Sequence, residues 1–210
     1  MRTVALAAGE SFAALFPVVD PIGNASTFAA LTAHRSNRER RSEARRSVIA
    51  MVAILLIFLV TGEPLLRFFG ISLEGLQIAA GIVIAAYGFR MVMWIGFPPS
   101  VQGDQDGSIA FTPMAMPLLA GPGAMGIVMG LEARDSGSLV IPGFVVGIVV
   151  LATLTYVCFR LGDRVTRLLG KGGLEAVVRT MGLLVLAIGV ELIVHGIVEH
   201  GAVTSLHAPG

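Results

Sequence analysis

Six long apolar segments constrain the fold of this chain more than any other feature. Each has about 20 residues or slightly more, which is the length that crosses a bilayer core as one α-helix. Only 14% of the 210 residues are charged, against roughly 25% in an average soluble domain. The sequence therefore predicts an all-α membrane protein with six transmembrane helices. The segments run from about Val4 to Thr32, Ser47 to Leu66, Leu73 to Ile95, Phe111 to Leu131, Leu139 to Leu161 and Leu174 to Val198.

The distribution of arginine predicts how these helices are oriented. Six arginines lie in the stretch "HRSNRERRSEARR", residues 34–46, and basic residues also cluster between segments 5 and 6. Loops rich in Lys and Arg stay in the cytoplasm. We therefore expect a cytoplasmic Arg-rich loop at 34–46 and both chain termini outside. Binding of anionic lipid or nucleic acid by these arginines is an alternative, but topology alone explains them, and a net charge of +1 does not favour nucleic acid.

The second half of the chain repeats the first. When the sequence is shifted by 100 residues, or by 101 after one slip, five glycines coincide with glycines. Because each repeat holds three spans, the second copy must enter the membrane from the opposite side, as in many secondary transporters. We predict two inverted repeats, residues 1–100 and 101–210. Similar composition of glycine-rich helices is the alternative. The coinciding pairs are Gly23 and Gly123, Gly62 and Gly162, Gly70 and Gly170, Gly81 and Gly182, and Gly88 and Gly189.

The first span of each repeat contains residues that break helices. "FPVVDPIGN", residues 16–24, corresponds to "MPLLAGPGA", residues 116–124. Proline removes a backbone donor from a helix, and broken backbone at membrane depth is tolerated only inside protein or beside a wet cavity. Paired interruptions of this kind indicate a transporter's binding site. We therefore predict that helices 1 and 4 break near mid-membrane and that the two breaks meet.

The residues around the two breaks suit a small zwitterion. The free N–H groups at the start of each second half-helix can hold a carboxylate, and Asp20 can hold an ammonium group or a coupling ion. Asp20 also suits the cap of a helix that starts at Pro21, and the two roles are compatible. The small side chains around the breaks favour a small substrate. The predicted binding residues are Asp20, Pro21, Gly23, Asn24, Ala120, Gly121, Gly123 and Ala124.

The same motifs resemble those of the MarC/SnatA family of inner-membrane proteins. "LFPVVDPIGN", "RFFGISLEGLQIAAGIVI" and "AMPLLAGPGA" occur in the family's order, and the resemblance covers about residues 5–200. The family is grouped with LysE-type exporters. The resemblance implies transport of a small neutral amino acid such as glycine or alanine across the inner membrane, coupled to an ion or proton gradient. Many members have Asn where this chain has Asp20, so the coupling ion cannot be carried over.

Other functions find little support in the sequence. There is no phosphate-binding GxxxxGK[ST] loop and no nucleophile–base pair, so we expect neither ATP-driven transport nor an enzyme. The run "HGIVEH" does not have the spacing of a metal site. We expect no cofactor apart from Na⁺ or H⁺ as the coupling ion, and no metal site. A passive channel for a small polar solute is the main alternative. A homo-oligomer is compatible with the sequence, and Glu10, Glu191 and His195 receive no assigned role.

Overall fold

The regular structure of the described chain is entirely helical, as predicted. A computed structural model describes residues 4–93, 108–134 and 140–206. The loop between segments 3 and 4, the predicted end of segment 3 at Ile95 and the predicted start of segment 5 at Leu139 lie outside these residues. The helices are α1 (Val4–Val19), α2 (Pro21–Leu31), α3 (Asn37–Phe69), α4 (Leu73–Val92), α5 (Ala110–Leu119), α6 (Pro122–Arg134) and α7 (Val140–Leu206).

Four or five of these helical units can cross a membrane by length and composition. The helices α1 and α2 meet at an angle of 43°, and together they are apolar and long enough for a broken span or a re-entrant loop. The fourth predicted segment, Phe111 to Leu131, consists of the two short helices α5 and α6, so it has no single long helix. The six-span inverted repeat therefore stays a prediction. The four single spans are Asn37–Gly62, Leu73–Val92, Val140–Gly162 and Gly172–His200.

The Arg-rich stretch at 34–46 was predicted as a loop, and this was wrong for most of its length. Helix α3 starts at Asn37, ten residues before the predicted start of segment 2. The cause is a capping box: the Ser36 side chain accepts a hydrogen bond from Glu39 N, and Glu39 Oε2 accepts one from Ser36 N at 2.8 Å. These bonds satisfy donors that a helix start leaves unpaired. The arginines therefore extend a membrane helix.

The connection between segments 5 and 6 is also helical and not a loop. Helix α7 continues through it and is interrupted at Gly170, which has φ 62° and ψ 179°. The positive φ is readily adopted only by glycine. We call the parts of α7 before and after Gly170 the first arm and the second arm.

Proline shapes α5 more strongly than the other helices. Its turns are of the wide π type, and Thr112 and Met116 are extended, with φ near −125° and −130°. Each of them precedes a proline, and the proline ring disfavours helical geometry in the residue before it. Segment 4 is therefore irregular well before its break.

Glycines bring the helices into close contact. A methyl group added at Gly81 would lie 2.6 Å from the carbonyl oxygen of Gly189, so α4 and the second arm approach backbone to backbone. Gly143 and Gly147 in the first arm meet Ala7 and Ser11 of α1 in the same way. Small residues at helix interfaces permit such approach in membrane proteins. This packing surrounds the two chain breaks with helices.

Candidate functional site at the two chain breaks

The first chain break is centred on Asp20. Among the described non-glycine residues only Asp20 has a positive φ, with φ 40° and ψ 68°. Its Oδ1 accepts a hydrogen bond from Gly23 N at 3.1 Å, and Pro21 is the first residue of α2. The capping interpretation is thus confirmed. The prediction that the start of α2 is free for a ligand needs correction, because Asp20 itself occupies the Gly23 N–H.

Asn24 completes the first break. Its Nδ2 donates to the carbonyl oxygen of Val19 at 2.8 Å, and both Asn24 and Asp20 are almost fully buried, with 2% and 4% exposure. A carbonyl group at the end of α1 is thereby satisfied within the protein. Asn24 therefore stabilises the break, and its side chain also bonds to a second side chain.

That side chain is Tyr87, which the sequence analysis missed. A hydrogen bond joins the Tyr87 hydroxyl to the Asn24 side chain, and Asp20 lies close enough to interact electrostatically with it. A buried tyrosine usually needs a partner for its hydroxyl group. As one of only two tyrosines, within an apolar span, Tyr87 could have been singled out as a polar group at membrane depth. Its partner could not, because α4 is distant in sequence.

The second chain break lies at Ala120 and Gly121. Ala120 N bonds to Ala115 O at 2.8 Å, and Met125 N bonds to Gly121 O at 3.0 Å, so regular hydrogen bonding stops and restarts here. Gly121 has no side chain with which to cap α6. No described side chain accepts from the N–H groups of Gly123 or Ala124. The start of α6 is therefore uncapped, unlike the start of α2.

The two breaks lie side by side. A methyl group added at Gly123 would lie 2.6 Å from Ile84 Cγ1 and 3.6 Å from Val18 Cγ1, two residues before Asp20. A cavity of about 170 Å³ opens between them. Tyr87, Val18 and Leu118 line it together with residues 121–124. The cavity walls are mainly apolar, and Tyr87 and the start of α6 are the lining parts that carry polar groups.

The eight predicted binding residues divide into two sets. Gly121, Gly123 and Ala124 line the cavity directly. The other five surround the breaks and are buried: Asp20, Pro21, Gly23, Asn24 and Ala120.

Asp20 forms no ion pair with any described residue. Its electrostatic neighbours within the described chain are Tyr87 and Cys158, and neither is a cation. A carboxyl group at membrane depth is costly and usually marks a functional site. This carboxyl group can therefore take up a proton, a small cation or an ammonium group.

A second buried carboxylate, Glu43, was also missed because it lies in the Arg-rich stretch. Its Oε2 accepts hydrogen bonds from Ser108 Oγ at 2.9 Å and Ile109 N at 3.0 Å, immediately before α5. Its Oε1 lies 3.5 Å from Arg35 Nη1, between α2 and α3. Glu43 thus joins the end of the first broken span to the start of the second.

The histidine run near the C-terminus is not part of this site. His195 Nε2 lies 3.2 Å from Glu191 Oε1, one helical turn away, and both side chains are more than half exposed. The pair occupies an outer face of the second arm. Glu10 likewise lies away from the cavity between the breaks.

Comparison with known proteins agrees with the membrane character of the fold. Residues 7–200 match the model of a family described as MarC family integral membrane protein. The chain is 30% identical to a UPF0056 inner membrane protein MarC of Salmonella paratyphi A, covering 92% of this chain and 95% of that protein. A protein of the same name from Citrobacter koseri is 28% identical, with the same coverage. No solved structure gives a significant match.

Proposed function

The chain belongs to the MarC family of integral membrane proteins, and from this premise we propose that it is a secondary transporter of small neutral amino acids such as glycine and alanine. Its relatives and its apolar helices make it a multi-pass protein of the inner membrane. Transport proceeds by alternating access and is coupled to Na⁺ or H⁺. A passive channel or an exporter for another small polar solute is the alternative.

One observation carries the proposal. Asp20 is a buried carboxyl group with no cationic partner in the described chain, and it follows two residues after Val18, which lies against the uncapped helix start at Gly121–Ala124. The N-terminus of a helix carries a partial positive charge and attracts anions. An α-amino acid presents one negative and one positive group a few bonds apart. Its carboxylate suits the start of α6, and its ammonium group suits Asp20.

The cavity volume favours a small substrate. A cavity of about 150 Å³ holds benzene, which has six heavy atoms. The cavity beside the second break measures about 170 Å³, while glycine and alanine have five and six heavy atoms. Its mainly apolar walls with a few polar groups are typical of small-molecule sites.

Pairs of equivalent contacts support the inverted repeat on which alternating access depends. Gly81 meets Gly189, and the repeat equivalents of these two residues, Gly182 and Gly88, meet each other as well. An approximate two-fold axis between α4 and the second arm would relate these two contacts to each other. Six spans in two inverted repeats, with the two breaks at the centre, are the arrangement that we propose.

A second pair of equivalent contacts joins the broken spans to their neighbouring helices. Gly62 meets Met129, and Gly162 meets Ala29, which are the corresponding residues of the other repeat. Each broken span is thus held in the same way by a helix of the opposite repeat. Rocking of one repeat against the other would open the site to alternate sides.

Counterflow in proteoliposomes tests the proposal. With unlabelled glycine or alanine inside, the wild-type protein should accelerate entry of the labelled amino acid, because a carrier exchanges substrate across the membrane. A channel shows no such stimulation, so entry that is independent of the internal amino acid would contradict the carrier proposal.

Tyr87→Phe removes the hydroxyl group of a residue that lines the cavity. It should reduce exchange about tenfold, the loss expected for one hydrogen bond of roughly 1–1.5 kcal/mol. Tyr156→Phe is the matched control, since its hydroxyl accepts from Arg160 away from the breaks. Equal exchange by the two variants would place the substrate elsewhere.

A further inference from the structure

A second cavity lies away from the two breaks and is lined by arginine. It measures about 300 Å³ and lies between the start of α3 and the first arm of α7. None of the described residues that line it is acidic. The five arginines that line it are Arg40, Arg41, Arg160, Arg164 and Arg167.

The arginines of the first arm continue an apolar face of the same helix. Arg160, Arg164 and Arg167 follow one another at helical spacings of four and three residues, so they share one face. The same spacing leads back to Val157 and Val146, which are 43% and 46% exposed. From Val146 to Arg160 this face is about 21 Å long at 1.5 Å per residue, enough to cross one leaflet of a hydrocarbon core about 30 Å thick.

Aromatic side chains shape the cavity. The rings of Phe28 and Phe159 stack with centroids 4.5 Å apart, both are buried, and both line it. Tyr156 accepts a hydrogen bond from Arg160 Nη1 at 3.2 Å, and the guanidinium lies 5.9 Å from the tyrosine ring centroid. The position of Arg160 is therefore set by the fold and does not depend on a ligand.

Two of the five arginines have no partner among the described residues. Arg41 and Arg164 form no hydrogen bond or ion pair with another described residue. The carboxylate of Glu43, the buried acid of α3, is already bonded to Arg35, Ser108 and Ile109. Positive charges held close together attract a group with several anionic oxygens. A guanidinium group can donate two parallel hydrogen bonds to two oxygens of one phosphate.

We propose that this cavity binds the phosphate head group of an anionic phospholipid, such as phosphatidylglycerol. The head group lies between the arginines of α3 and the first arm, and an acyl chain runs along the apolar face that ends at Arg160. Basic pockets between transmembrane helices are suited to such lipids. The continuity of the arginines with the apolar face favours a lipid over a free phosphate ion. This proposal does not depend on the transported substrate.

Native mass spectrometry of the full chain in detergent tests the proposal. Phosphatidylglycerol and phosphatidylcholine with identical acyl chains are added separately, and bound lipid is counted. We expect phosphatidylglycerol to be retained at concentrations where phosphatidylcholine is not. The double variant Arg41→Gln/Arg164→Gln should weaken phosphatidylglycerol binding about thirtyfold. It breaks no hydrogen bond or ion pair with a described residue, so folding should be unaffected.

The control variant Arg38→Gln/Arg45→Gln makes the same change of charge in α3 without touching the cavity, and it should bind like the wild type. Equal binding of the two lipids, or equal losses in the two double variants, would overturn the proposal. Protection from thermal unfolding by inorganic phosphate, equal to that by phosphatidylglycerol and lost in Arg41→Gln/Arg164→Gln, would assign the cavity to a soluble anion and also overturn it.

Discussion

At the scale of single residues, Asp20 combines three properties that are usually separate. Its backbone makes the left-handed turn between α1 and α2, its side chain caps α2, and its charge has no cationic partner in the described chain. Asparagine and aspartate tolerate left-handed geometry better than other non-glycine residues. The turn and the cap need no charge, because asparagine can fill both roles.

Substitution of Asp20 separates the turn and cap from the charge. Asp20→Asn should change the free energy of unfolding by no more than about 0.5 kcal/mol, because Asn is as good a cap. Asp20→Val should cost about 2–3 kcal/mol, since it loses the cap and places a β-branched residue at positive φ. Thermal unfolding in detergent measures both. Equal stability of the two variants would show that the backbone geometry at Asp20 is not retained in solution.

The residues that form the breaks could be predicted from the sequence, but the residues that bond to them could not. Pro21, Gly121 and Pro122 reveal the interruptions because their effect on a helix is local. Tyr87 and Glu43 contact the broken spans through residues far away along the chain. A single sequence, read without an alignment, does not show which residues far apart along the chain are in contact. Two members of the polar network around the breaks, Tyr87 and Glu43, were therefore not predicted.

At the scale of helices, hydropathy predicted the spans better than their ends. The predicted segment from Leu73 begins where α4 begins, since Ser72 caps it by accepting from Gly75 N. The start of α3 was misplaced because a charged stretch was interpreted as a loop, although the capping signal Ser36–Glu39 is present in the sequence. Charge shows where a helix leaves the membrane, whereas capping shows where it begins.

A substitution at the contact between α4 and the second arm tests how closely these helices pack. Gly189→Ala should lower the free energy of unfolding by about 1–3 kcal/mol, the usual cost of overpacking. The reason is that the new methyl group would lie 2.7 Å from the carbonyl oxygen of Gly81. Unfolding in detergent measures the effect.

Gly9→Ala is the matched control for Gly189→Ala. Gly9 is an exposed helical glycine with nothing within 4 Å of an added methyl group. Alanine should leave stability unchanged or raise it by up to about 1 kcal/mol, because it favours helix. If both glycine variants behave alike, the two helices do not approach as closely as described.

At the scale of the whole molecule, the arginines of both basic stretches meet at one end. Those of α3 and those of the first arm line the same cavity. This arrangement is consistent with the orientation predicted from arginine counts, in which that end faces the cytoplasm.

Cysteine labelling tests this orientation. In a Cys158→Ser background, Arg45→Cys should react with a membrane-impermeant maleimide only in inside-out vesicles, because basic segments stay in the cytoplasm. Ile71→Cys, at an exposed position between α3 and α4, should react in intact cells. The reverse pattern would show that the protein is inserted the other way round.

Glu43 has a consequence for motion. Through one carboxyl group it is bonded to Arg35, just after the first broken span, and to Ser108 and Ile109, just before the second. Neither span can shift at this end without stretching or breaking a bond that also restrains the other. The two halves of the protein are interlocked there, so any opening on this side must involve both together.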